Sequence, residues 1–118
     1  LIDDADNHSG VNLIISKEND IRDIKDFGNS IHEYCSKSFI AVIGAIIKDK
    51  PMLVCVVSSD IQDNIGAKEL ISSLAKIIDG GGGGKDSIAT AGGKKIEKLD
   101  EALEQSASLV RDLLDERL

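Results

Sequence analysis

Read for the spacing of its apolar positions, the chain alternates between unbroken apolar runs and segments of helical period. VNLIIS, residues 11–16, is short, apolar and rich in β-branched side chains, which predicts a buried strand. After it, Ile21, Ile24, Phe27, Ile31 and Tyr34 recur every three or four residues and so share one helical face, with Asn19 or Asp20 placed to cap the start. Gly28 inside that pattern costs about 1 kcal/mol against alanine. FIAVIGAII (Phe39–Ile47) and MLVCVV (residues 52–57) lack alternation, as strands covered on both faces do. The four residues KDKP between them, ending in the only proline, Pro51, force a hairpin and an antiparallel pair. The first strand reaches the second through a helix, a connection that favours parallel pairing. A mixed β-sheet packed with helices follows, an α/β domain.

A second amphipathic helix is predicted over residues 66–78, with Ala67, Leu70, Ile71, Leu74, Ile77 and Ile78 on its apolar face. SIATA, residues 87–91, suits a short strand. A long last helix runs over residues 94–118, where Ile96, Leu99, Leu103, Ala107, Val110 and Leu114 step by three or four. No internal repeat is visible.

Composition narrows the class. The 118 residues suffice for one domain, whose chain buries roughly 65% of its surface on folding and so needs no disulfide or metal for stability. Hydrophobic residues are 42% and charged residues 30%, an ordinary globular balance, and no apolar run approaches the ~20 residues of a membrane span. Cys35 and Cys55 form no motif and read as free thiols of a reducing compartment, Cys55 as a small hydrophobe within MLVCVV. The opening LIDDADNHSG has no initiator methionine, three acids and no periodicity. It reads as a poorly ordered start over residues 1–10 of a piece cut from a longer chain, with a single domain over residues 11–118.

Seven of eleven glycines fall between Asp79 and Gly93, five of them consecutive. A nucleotide-binding P-loop needs G-x-x-x-x-G-K-[ST] after a strand, but Asp79 and Asp86 stand at its ends and a helix precedes it. A dinucleotide fingerprint also needs a preceding strand. Gly80 is placed to cap the second helix with positive φ, and the remaining glycines let backbone amides converge on an anion or let another backbone approach. Composition alone leaves a plain connector and a functional loop both open. Charge separates them further: the chain carries −7 overall, while residues 85–98 hold Lys85, Lys94, Lys95 and Lys98 against Asp86 and Glu97. Of the stretches 1–34, 35–84, 85–98 and 99–118, this is the one with net positive charge.

The succession AKELISSLAKIIDG, GGGGGK, a segment with Ala89, Gly92-Gly93 and KKIEKLDEAL resembles the DHH-associated domain family, in the branch formed by the C-terminal (C-Ala) domains of alanyl-tRNA synthetases. The resemblance covers residues 11–118 and is most specific over residues 66–104. Lys85 stands where the synthetase branch has Arg, which keeps the charge and loses the bidentate fork. Asp86-Ser87 replaces Pro-Asp, and Ile88 and Thr90 stand at the usual Met and Gln. The phosphoesterase branch has a phosphate-contacting His at the place of Lys85.

The resemblance implies a cytoplasmic, non-catalytic domain that binds the outer corner of tRNA(Ala), weakly in isolation, and links aminoacylation with editing. ATP, magnesium and zinc would belong to upstream domains of the parent ligase, with which this domain would also pack. Its tRNA contacts fall on Lys85, Lys94, Lys95 and Lys98, beside the glycine-rich loop of Gly80, Gly81, Gly82, Gly83, Gly84, Gly92 and Gly93. The alternatives are an oligomerisation module, with Leu113, Leu114 and Leu118 as the seam of a homodimer, or the substrate-binding domain of a DHH-type phosphoesterase. No catalytic or metal site is expected: the two histidines are His8 and His32, and His32 with Cys35 offers only two ligands on a helix. The acidic balance (pI ≈ 4.7) confines any nucleic-acid contact to the lysine-bearing stretch.

Overall fold

The computed structural model describes residues 4–8, 10–18, 21–34 and 37–117. The elements run β1 (Asp4–His8), β2 (Val11–Glu18), α1 (Ile24–Tyr34), β3 (Phe39–Ile47), β4 (Lys50–Val57), α2 (Ala67–Ile77), β5 (Gly81–Gly84), β6 (Ile88–Gly92), a 3-10 turn (Ile96–Lys98) and α3 (Leu99–Arg117). One six-stranded sheet has the order β1-β2-β3-β4-β6-β5, parallel only between β2 and β3 and antiparallel elsewhere. The expected mixed sheet is therefore present, with its parallel pair where the helical crossover lies.

Both faces of the sheet are covered, which accounts for the apolar runs without alternation. Ile40, Val42, Leu53, Cys55 and Val57 face one core with Leu70, Leu74, Leu99 and Val110 of α2 and α3. Ala41, Ile43, Ala45, Val54 and Val56 face the other, under α1. Gly28 lets α1 sit close on β4: a Cβ there would stand 2.6 Å from Val54 Cγ2.

Several boundaries differ from the sequence reading. The first expected ten residues contain β1, paired with β2 from Asp4↔Ile15 to His8↔Val11; residues 1–3 and 9 lie outside the described residues. Asp23 caps α1, its Oδ1 accepting the N–H groups of Lys25 and Asp26 at 2.9 and 3.0 Å, and Asn19 and Asp20 lie outside the described residues. The β3–β4 link is tighter than four residues: Lys48 and Asp49 alone make the turn, both at positive φ (53° and 64°) as a type I′ hairpin demands. Pro51 lies inside β4, opposite Ile46, one place beyond the closing Ile47↔Lys50 pair. Antiparallel pairs alternate between bonded and unbonded, so the missing N–H of Pro51 falls where no bond to β3 is due.

The last helix starts later than expected. Ile96 belongs to the 3-10 turn and is 38% exposed, so the buried stripe of α3 begins at Leu99. Leu114 is buried in the chain's own core and Leu113 packs against it, whereas Leu118 lies outside the described residues. Arg117 closes α3 onto α2 with a forked pair to Glu69, at 2.6 and 2.8 Å, and a bond to the Asn64 carbonyl.

Candidate nucleic-acid interface

The five-glycine run is neither loop nor linker. Gly81–Gly84 form β5, an edge strand made of glycine alone, paired with β6 from Gly81↔Gly92 to Gly84↔Ala89. The expected cap falls one residue earlier: Asp79 takes the left-handed conformation (φ 56°), while its N–H reaches the Lys76 carbonyl and that of Gly80 the Ala75 carbonyl. That is a Schellman motif with aspartate where glycine is usual.

The glycines are needed for closeness more than for φ. A Cβ at Gly82 would strike the Thr90 carbonyl and stand 2.6 Å from the Ala91 Cβ; at Gly80 it would strike the Gly92 carbonyl, and at Gly84 it would stand 2.6 Å from the Ile88 carbonyl. At Gly81 and Gly83 a Cβ would meet nothing within 4 Å. Every second glycine therefore seats β5 against β6, and those between face open space. Gly93 lets the chain pass the end of α2, where the Ile78 carbonyl accepts the N–H groups of both Lys94 and Lys95 at 2.9 and 3.1 Å. Those two amides are thus spent on the fold.

The four candidate lysines divide into two places. Lys85 sits at the β5–β6 turn, its N–H on the Ile88 carbonyl at 2.9 Å. Lys94 and Lys95 follow the far end of β6, and Lys98 closes the 3-10 turn. The five residues of β6 and Gly93 separate the level of Lys85 from that of Lys94, about 20 Å at ~3.3 Å per residue. Asp86, next to Lys85, serves the fold: its carbonyl accepts the first amide of α2, from Ala67, at 2.9 Å.

The structure adds two lysines the sequence reading passed over. The Gly93 N–H donates to the Pro51 carbonyl at 3.0 Å, and Met52 pairs with Gly92, so the β3–β4 turn lies at the same end of the sheet as Lys94. Lys48 and Lys50 thereby join Lys94, Lys95 and Lys98 there, opposed within these two segments by Asp49 and Glu97. Lys98 is half-buried and stands 3.7 Å from Glu101. Among the described residues Lys48, Lys50, Lys85, Lys94 and Lys95 make no ion pair and are exposed. Among the described residues the two exposed large hydrophobics, Ile46 and Ile96, belong to the same end. The hairpin register was the available signal, hidden by the even charge balance of residues 35–84.

Among the described residues no three His, Cys, Asp or Glu side chains gather to hold a metal, and Cys35 lies outside them. Cys55 is fully buried and free, its thiol pushed up to about 12 by burial, which suits packing and not nucleophilic attack. Among the described residues the most perturbed carboxylate, Asp60, is tied into the fold. It accepts bonds from the Ser58 hydroxyl at 2.6 Å and from the Ser38 N–H and hydroxyl at 3.0 and 2.9 Å, and these hold it down at about 2. Among the described residues no helix is long and apolar enough to cross a membrane.

Comparison with known proteins gives a consistent set of relatives. The DHHA1 domain model matches residues 9–112. The alanine–tRNA ligase of Bacillus subtilis is 35% identical over 108 residues, covering 89% of this chain and 12% of the ligase. That of Dehalococcoides mccartyi is 32% identical over 111 residues, covering 88% of the chain and 12% of the ligase. The chain thus spans about an eighth of the length of the curated relatives it matches. The crystal structure of the C-Ala domain from Aquifex aeolicus alanyl-tRNA synthetase superposes with a TM-score of 0.76 at 26% identity, covering 94% of this chain and 97% of that one.

Proposed function

This chain belongs to the DHHA1 domain family, and from that premise we propose that it serves an alanine–tRNA ligase as a non-catalytic tRNA-binding domain. It grips the outer corner of tRNA(Ala) and so helps present one tRNA to both the aminoacylation and the editing site. Those sites, with their ATP, magnesium and zinc, lie in other domains of the ligase. The relatives support this reading, and one observation in the chain carries it: in a molecule of net charge −7, lysines distant in sequence meet at one end of the sheet. Phosphate contacts need such cations, and an acidic surface elsewhere confines binding to that end and to Lys85 at the other end of β6. Gly81 and Gly83 leave room beside them for a close-lying backbone.

The test is tRNA(Ala) binding across a salt series. With up to four phosphates met by Lys85, Lys94, Lys95 and Lys98, log K falls against log salt with a slope of roughly −3 to −4. Replacing Lys94, Lys95 and Lys98 together by alanine weakens binding and flattens that slope while the fold persists. Unchanged binding by this triple variant places the site elsewhere and overturns the proposal.

A further inference from the structure

We propose that the β3–β4 hairpin tip is a second arm of this interface, with Lys48 and Lys50 contacting phosphates of the same RNA that Lys94, Lys95 and Lys98 hold. The inference rests on the tRNA-binding reading above and extends it to a part of the chain some 45 residues away in sequence. Its first support is position. The Gly93–Pro51 bond fixes the hairpin beside the Lys94–Lys98 segment, and the short Lys48-Asp49 turn holds both neighbouring lysines at its tip, exposed and without an ion pair among the described residues.

The second support is the choice of turn residues. A type I′ turn requires positive φ at both central positions, and Asn-Gly or Asp-Gly fills it with least strain. Here the pair is Lys48-Asp49, two residues with a full Cβ held at φ 53° and 64°. A lysine in the left-handed region is strained whether or not anything binds it. Within the described fold that strain is offset by the β3–β4 pairing the turn closes and by no side-chain bond, since Lys48 and Asp49 are exposed and bond to no neighbouring side chain. A cation presented to an anionic partner accounts for lysine at a place where asparagine would be less strained. The charge of the two segments selects the partner: residues 48–50 and 94–98 hold five lysines against Asp49 and Glu97 within a chain of net charge −7, which suits a polyanion.

The experiment compares this chain with Lys48→Asn/Asp49→Gly, with Lys50→Gln, and with the Lys94, Lys95 and Lys98 alanine variant. Melting temperature and tRNA(Ala) affinity over a salt series are measured for each. The turn variant leaves net charge unchanged, so any loss of binding is local. It is expected to melt roughly 4–8 °C higher, through relief of the turn. It should bind about five- to tenfold more weakly near 0.1 M salt, with a slope shallower by about 0.9; adding Lys50→Gln doubles the change in slope. If the turn variant and Lys50→Gln both bind as the parent does while the triple variant does not, the hairpin arm is wrong and the tRNA reading stands. If the parent chain does not bind, or neither the triple nor the hairpin variants lose affinity, both fall. Loss in the hairpin variants alone supports the arm and moves the interface to it. Should the turn variant melt lower, the strain argument fails, and Lys50→Gln, outside the turn, decides the contact.

Discussion

Asp60 shows how one carboxylate can look functional and be structural. Its three donors, the Ser58 hydroxyl first, then the Ser38 N–H and hydroxyl, favour the charged form, and Ser58 in turn accepts the Phe39 N–H at 3.0 Å. The network fastens the end of β4 to the start of β3. Because the folded group titrates near 2 and the ordinary value is 3.8, its contribution is complete above pH ~4 and vanishes as pH falls through 2. Urea midpoints of the parent chain and of Asp60→Asn should therefore differ by a constant amount from pH 7 to pH 5, then converge towards pH 3. A gap that stays constant across that acid range would show that the carboxylate's charge is not what the clamp uses. Cys55, Gly28 and Asp23 are likewise residues whose roles are packing, close approach and capping.

At the scale of the element, β5 is the case where propensity misleads. Glycine is among the poorest strand formers, so four in a row read as a loop. What makes the strand is its neighbour: β6 offers a paired edge, and only a chain without Cβ atoms can lie that close to it. The alternation of the steric contacts predicts an alternating mutational pattern. Gly82→Ala should destabilise by about 2 kcal/mol or more, since a new methyl would overlap buried backbone. Gly81→Ala and Gly83→Ala should stay within about 1 kcal/mol of the parent, and less freedom in the unfolded chain offsets part of that. Chemical denaturation of the three variants checks this, and equal costs at all three positions would contradict the register. The helices, by contrast, follow their periodicity, apart from the late start of α3. There the chain must first turn away from β6, which spends residues 93–98 on carbonyl contacts and a 3-10 turn.

For the whole molecule the governing quantity is charge distribution. Residues 99–118 alone carry −4, most of it along the exposed side of α3, while the lysines collect at one end of the sheet. Salt should then act in opposite directions on two properties of the same chain. Raising salt from about 0.02 to about 0.3 M shortens the screening length from roughly 20 Å to 6 Å, which relieves repulsion among the acids and raises the melting temperature. The same change weakens tRNA binding through lost counterion release. A melting temperature that falls with salt would mean that the described ion pairs, such as Lys17–Asp100 at 3.0 Å and Arg117–Glu69, outweigh the acidic repulsion.

The sequence by itself determined the helical faces, the parallel and antiparallel pairings of β2, β3 and β4, the burial of Cys55 and the family signature. Each follows from local spacing or from the length of a connection, quantities that do not depend on knowing what lies opposite. Only the tertiary structure decided that a glycine run is a strand, that Asp4–His8 pair with β2, and that Asp79 and not Gly80 takes the left-handed cap. It also parted Lys85 from Lys94 by the length of a strand and brought Lys48 and Lys50 to the other lysines. The physical reason is the same throughout: backbone pairing and the meeting of distant charges are set by which elements lie side by side, and a one-dimensional pattern carries the faces of each element but not its neighbours.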